Sequence, residues 1–457
     1  MNLRARTTST SRCTLRPAQP SLHATALLAA LAFALAATGC GAKTGLDVPD
    51  GGPDIGIDAP LPCIDIPLDP DAGPPIELPL STEARLERAD VLFLIDVTAS
   101  MNAEIEEIRD RLRDRLAPAI YGQIPDTQFA VATHADFAFE EFGTGDDKAF
   151  TLFLPMSGDL NRVQAAMGEV MLGNGNDVPE SQVEALFQAA TGNGLMGFGP
   201  TGAMVTWVPP SLGCPRGGFG YPCFRDDALP VIFLFTDAVF HNGPDGENPY
   251  LPRFRGTPAA TYGQAIAALN DNGIRVIGFW SGGDDDGIET LRRTALDTEA
   301  TRRDGSPLVF DIGRSAERLD DRVVEAMQDF ADGIVLDIDA VPLDPTPDDG
   351  FDVRTLIEAL VPLRAEPMDG IGGIDTAGGV FLRVQAGTEV IFQLRVRNGV
   401  VTPTTEPQEF LLDVQFRGDG RSNLGVRRVR IVIPALDGRG CEDNVEAGMS
   451  SITSGSP

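Results

Sequence analysis

The sequence predicts an α/β fold with a doubly wound, mostly parallel sheet, followed by a C-terminal all-β sandwich. Three observations predict it. Between Asp90 and Ala331, short apolar runs alternate with segments of helical period, as in a parallel sheet covered on both faces. Several of those runs, such as Val91-Leu92-Phe93-Leu94-Ile95, are uninterrupted by polar residues, so they read as strands buried on both sides. After Gly333 the pattern changes to short alternating strands separated by turn residues. The 457 residues leave room for two or three domains and a large core.

In chain order, the apolar runs place strands over 91–95, 129–133, 151–154, 231–236, 275–280 and 307–311. The helical period covers 103–120, 160–170, 180–190, 261–271, 288–296 and 316–330, with Gly273 just past a helix, where a C-cap belongs. Residues 191–230 carry Gly, Pro and aromatics without a period, and a loop of that length is usually functional. In the second region, alternation places strands over 335–338, 381–384, 390–396, 410–416 and 427–433, with a short helix over 353–360. Cys63-Ile64-Asp65-Ile66 and Ile76-Glu77-Leu78 also alternate, so this stretch can add edge strands to the sandwich.

The formal net charge of −31 excludes a nucleic-acid partner, because phosphate binding needs basic surface. The N-terminus is a targeting segment: Arg4, Arg6, Arg12 and Arg16 precede an apolar stretch from Ala24 to Ala37 that is short for a membrane span. It ends Ala36-Ala37-Thr38-Gly39-Cys40-Gly41, which resembles a bacterial lipobox. The resemblance implies a signal peptide over 1–39 and lipidation of Cys40. The mature chain is then exported and anchored by lipid to the cell envelope, and Gly41 fits sorting to an outer membrane or cell surface. An ordinary signal peptide is the alternative. Residues 40–82 read as an acidic Pro/Asp/Gly-rich tether, 83–332 as the α/β domain, 333–441 as the sandwich and 442–457 as a disordered tail. Of six cysteines, Cys63, Cys214, Cys223 and Cys441 remain for disulfides in an oxidising compartment. Cys214 and Cys223 share one loop and form the local pair, which leaves Cys63 for Cys441.

The first strand ends on Asp96, and Asp96-Val97-Thr98-Ala99-Ser100 follows at the carboxyl edge, where open α/β sheets place ligands. One carboxylate with two hydroxyls is a hard-oxygen set suited to a Mg²⁺-type ion. Thr98 or Ser100 could equally cap the next helix. Two further acidic segments fall in order. Asn174-Gly175-Asn176-Asp177-Val178-Pro179-Glu180 opens a helix, and the strand over 231–236 ends on Asp237.

Strand-DxTxS-helix, an acidic DxPE loop and strand-TD in this order resemble the von Willebrand factor A domain and its metal-ion-dependent adhesion site. The match extends to the I-like domain of integrin β subunits through Asp177-Val178-Pro179-Glu180 and Thr236-Asp237-Ala238-Val239-Phe240-His241. The resemblance implies that Asp96, Thr98, Ser100, Glu180 and Asp237 hold Mg²⁺ or Mn²⁺, with an acidic side chain of a protein ligand completing the shell. It also implies an auxiliary Ca²⁺ site at Asn176, Asp177 and Glu180. The chain departs from the pattern at Ala103-Glu104, where the family has paired aspartates, and at Gly175, where it has asparagine. Trp207 and Tyr221 near the Cys214–Cys223 loop are candidate ligand contacts.

No G-x-S-x-G elbow, H-E-x-x-H or phosphate loop is present, so no enzyme is expected. The expected function is metal-dependent adhesion by a membrane-anchored lipoprotein. The alternatives are a structural envelope lipoprotein with a vestigial metal site, or a metal-dependent hydrolase.

Overall fold

A computed structural model describes residues 61–66, 75–198, 202–244, 246, 248–250, 258–283 and 285–441. The signal segment, Cys40, the first part of the tether and the tail lie outside the described residues.

Two strands come first, β1 (Cys63–Asp65) and β2 (Ile76–Glu83). The α/β body then runs β3 (Arg88–Asp96), α1 (Asn102–Arg111), a π-helical turn (Leu112–Leu116), α2 (Ala117–Gln123), β4 (Asp126–His134) and β5 (Thr151–Ser157). It continues with α3 (Leu160–Glu169), α4 (Gln182–Thr191), β6 (Leu195–Phe198), β7 (Met204–Val208) and β8 (Leu229–Thr236). It closes with α5 (Tyr262–Asp271), β9 (Arg275–Trp280), α6 (Asp285–Asp297), β10 (Val309–Asp311) and α7 (Leu319–Gly333).

The main sheet has the order β10-β9-β8-β3-β4-β5 and is parallel except at its edge, where β5 runs antiparallel to β4. From β3 the chain builds outward through β4 and β5, then returns to the other side of β3 with β8. The order therefore reverses between β3 and β8, the position at which open sheets leave a crevice at their carboxyl ends. The apolar run of β3 serves two cores at once. Val91, Phe93 and Ile95 face one cluster, while Leu92 and Leu94 face the other. Phe93 lies 5.7 Å from Phe233 and 6.0 Å from both Phe129 and Phe235, which locks three strands in register.

The remaining strands are β11 (Val335–Leu343), β12 (Ile357–Glu366), β13 (Gly373–Asp375), β14 (Val380–Gln385), β15 (Glu389–Val396), β16 (Gln408–Gly418) and β17 (Ser422–Ile433). They form two sheets, β1-β17-β16-β11-β14-β13 and β12-β15-β2. The sheets meet through Phe392 of β15, whose ring lies 5.0 Å from Phe381 and 5.7 Å from Phe416 of the larger sheet. β1 and β2, which precede the α/β body, thus pair with strands that follow it. Both are edge strands, and a Cys63–Cys441 disulfide ties the two segments together.

The helix expected over 353–360 is a correction. Only a 3₁₀ turn, Val353–Leu356, forms before β12 begins. The Glu, Ala and Leu of this stretch favour a helix locally, but pairing with β15 overrides that weak preference. Pro362 is tolerated because β12 is an edge strand and the register shifts beside it.

The aperiodic stretch 191–230 also acquires structure, in the β6–β7 hairpin and the Cys214–Cys223 disulfide. Trp207 and Tyr221 pack against the α/β body. Trp207 lies 4.8 Å from Phe139, and Tyr221 lies 5.0 Å from Phe150 and donates its hydroxyl hydrogen to Pro209 O at 2.9 Å. Arg421, in the turn between β16 and β17, stacks over Phe219 at 4.3 Å, so this loop bridges to the second set of sheets.

Candidate metal centre

Asp96 ends β3 and Asp237 follows β8 directly, so both reach the carboxyl edge at the switch point. Asp96 is completely buried. Its Oδ1 accepts from Thr98 N at 2.9 Å and Thr98 Oγ1 at 2.7 Å, and its Oδ2 accepts from Thr236 Oγ1 at 2.7 Å. Gln182, at the start of α4, holds Thr236 by donating to its Oγ1 at 3.0 Å. A hydroxyl that gives its hydrogen to a carboxylate keeps its lone pairs for a cation. Ser100 Oγ stands 3.4 Å from Thr98 Oγ1 and donates to Asp237 Oδ1 at 3.1 Å. The capping alternative fails: no side chain caps the 3₁₀ turn Ala99–Met101 or α1.

Glu180 is brought to the same edge by its backbone. Its N donates to Val239 O at 3.0 Å, and its carbonyl accepts from His241 N at 2.8 Å. The side chain is 2% exposed, and no hydrogen bond reaches Oε2. Burial, then the charges of Asp96, Asp136 and Asp177, push its carboxyl up to about 11. Such a site favours a neutral acid or a bound cation.

Behind Glu180 lies a second cluster, Asp136, Asp177 and His241, whose ligand atoms lie within 4.8 Å of one another. This group could hold a metal ion. His241 Nε2 stands 3.1 Å from Asp177 Oδ2 and 3.2 Å from Asp136 Oδ2. One nitrogen carries at most one hydrogen, so it cannot satisfy both carboxylates. Asp177 Oδ1 is buried without a hydrogen bond. Burial raises the carboxyls of both Asp136 and Asp177. Tyr250 Oη donates to Asp136 Oδ1 at 2.6 Å and fixes that side chain.

Of the auxiliary set expected from sequence, Asp177 belongs to this second cluster and its charge acts on Glu180. Asn176 donates its Nδ2 to Glu140 O at 2.9 Å. The sequence reading missed Asp136. It lies two residues past the end of β4, and the edge rule that found Asp96 and Asp237 would have found it too. Trp207 and Tyr221, the candidate ligand contacts, have the internal partners described above.

Gly175 explains its own departure from the expected asparagine. Its φ is +63°, and a Cβ there would fall 2.9 Å from Glu180 Oε1 and 3.3 Å from Thr98 Cγ2. Gly175→Ala should therefore cost roughly 1–2 kcal/mol from backbone strain alone. A variant that melts like wild type would contradict this placement of the loop.

No family model matches the sequence, and no curated protein matches it. Among solved structures, the chain is similar to a von Willebrand factor type A protein from Catenulispora acidiphila, at 14% identity and TM-score 0.34, covering 80% of this chain and 75% of that one. It is also similar to the pilus adhesin SpaC from Lactobacillus rhamnosus GG in its open conformation, at 12% identity and TM-score 0.33, covering 78% of this chain and 45% of that one. A second form of SpaC gives 11% identity and TM-score 0.34, covering 79% and 46%. The chain thus spans less than half the length of the SpaC chains. The resemblance to the von Willebrand factor A domain rests on the order of the motifs and on the strand order β10-β9-β8-β3-β4-β5.

Proposed function

We propose that the carboxyl edge of the main sheet binds a divalent cation through which the protein captures an acidic side chain of a protein partner. The observation that carries this reading is Glu180, a buried carboxyl with an orphaned oxygen beside Asp96, Asp136 and Asp177. Native proteins rarely bury such an oxygen without a donor or an ion. Asp96, Thr98, Ser100, Glu180 and Asp237 offer only oxygen, which suits Mg²⁺ or Mn²⁺. Two of these five ligands, the Thr98 and Ser100 hydroxyls, are neutral and leave a bound ion part of its affinity for a partner's carboxylate. The second cluster shares only Asp177 with the Asn176, Asp177 and Glu180 set expected to hold Ca²⁺, and the imidazole of His241 suits a transition ion.

Exposed apolar residues favour a protein as the partner. Met171, Leu172 and Val178 are 79%, 42% and 68% exposed on the loop that carries Asp177 and Glu180. Binding is favoured over hydrolysis because Ser100 donates to Asp237, while His134 is wholly buried and His241 lies between Asp136 and Asp177. We read the two further sheets as one sandwich domain interrupted by the α/β body, on an exported protein held by lipid at Cys40. The two disulfides fit that compartment. Among the described residues no helix is long and apolar enough to cross a membrane.

The test is retention of envelope proteins on the immobilised chain. Proteins held in Mg²⁺ should be released by chelator and should not be held by Ser100→Ala. Retention that survives both changes would contradict a cation-bridged contact.

A further inference from the structure

Asp147 belongs to none of the metal-ligand sets above, yet it is only 3% exposed and lies against the loop that carries Asp177 and Glu180. It accepts from Thr144 N at 2.6 Å, Thr144 Oγ1 at 3.0 Å, Asn174 N at 2.9 Å and Gly175 N at 3.2 Å. Three of these donors converge on Oδ2 and one on Oδ1, so both oxygens are engaged by the surrounding loops. The surroundings are shaped to it. A Cβ on Gly173 would come within 2.6 Å of Asp147 Oδ1, and one on Gly143 within 3.1 Å of Oδ2. The loop is fixed on either side as well: Gly173 N donates to Val97 O at 2.6 Å, and Ala135 N donates to Lys148 O at 2.9 Å. Asp147 thus joins the segment after β4, the turn at Thr144 and the loop beside Thr98.

We propose that Asp147 is a positioning residue that folds the 173–180 loop into its cation-competent shape before any ion arrives. The inference rests on the cation reading above. The loop needs such an anchor. It has no regular secondary structure over 170–175, and it brings the buried Glu180 carboxyl close to Asp96, Asp136 and Asp177. Backbone N–H groups bound to a fixed anion supply order that does not depend on the ion. Capture of the ion then avoids the cost of ordering the loop.

Hydrogen exchange at the Asn174 and Gly175 amides, read in chelator, tests this together with Mg²⁺ calorimetry. Wild-type amides should be protected without metal. Asp147→Asn should lose that protection and bind Mg²⁺ about 10–100-fold more weakly, the usual effect of removing a supporting partner. Protection in the main sheet should be unchanged. Thr144→Val, which removes one hydroxyl donor, should weaken Mg²⁺ in the same direction by a smaller factor, and it decides the matter if Asp147→Asn does not fold. Amides protected only when Mg²⁺ is present would overturn the proposal, as would equal Mg²⁺ affinity in wild type and variants. A wild type that binds no Mg²⁺ would overturn the cation reading and this inference with it. Equal binding in the variants overturns the inference alone.

Discussion

Asp96→Ala is expected to weaken Mg²⁺ binding by more than ~100-fold, beyond the ~10–100-fold that loss of a supporting partner costs. Asp96 is the point where the other groups converge. It orients the Thr98 and Thr236 hydroxyls, and its charge is among those acting on Glu180. Alanine removes the proposed ligand and two orienting contacts at once. Thr98 and Thr236 then lose the acceptor that aims their lone pairs. The fold should survive, because β3 keeps its pairing with β4 and β8 through the backbone. Its metal-free melting temperature should not collapse, since removing a buried charge offsets the lost hydrogen bonds. Circular dichroism beside the titration separates these outcomes. Unfolding of the variant would mean that Asp96 is structural, and undiminished affinity would mean that it is not a ligand.

Glu180→Gln should act in opposite directions with and without metal. In metal-free protein the carboxyl is raised from 4.5 to about 11, so the folded state holds a proton that the unfolded state releases. The sign follows from linkage. This contribution to stability is fully present below about pH 4.5 and is lost progressively as pH rises toward 11, with a slope no steeper than ~1.4 kcal/mol per pH unit. Glutamine is isosteric with the neutral acid and does not titrate. Metal-free Glu180→Gln should therefore lose less stability than wild type between about pH 6 and 9 and should be the more stable protein at the upper end. Asp136 and Asp177 are raised too, but both remain in the variant, so the difference between the two curves belongs to Glu180. With Mg²⁺ the order should reverse, because the ion binds the charged carboxylate more tightly than the neutral amide oxygen. Parallel pH curves for the two metal-free proteins would contradict the assignment of Glu180 as the uncompensated acid.

The fold was legible where burial leaves a simple signal. Val91 to Ile95 admits no polar residue because both faces are covered, and the same holds for β8. The antiparallel direction of β5 was not legible, since an apolar run does not record which way its neighbour points. β12 was misread because Ile357-Glu358-Ala359-Leu360 has local helix preference, and only the partner strand β15 decides otherwise. Asp96, Thr98, Ser100, Glu180 and Asp237 could be nominated because each falls at or beside a strand or helix end that the pattern marks. Asp147 could not. Its role comes from backbone N–H groups of Asn174 and Gly175, 27 and 28 residues away, and backbone donors leave no trace in side-chain identity. The role of His241 lay between these cases: the TDA-x-x-H string flagged the residue, but only the fold sets it between Asp136 and Asp177.

Calorimetric titration of Mg²⁺ into metal-free wild type and Asp96→Ala, run in two buffers of different ionisation enthalpy, tests the central claim most directly. The account predicts saturable binding to wild type with proton release from Glu180, and none to the variant at the same concentrations. No binding to wild type, or equal binding to both proteins, would contradict it.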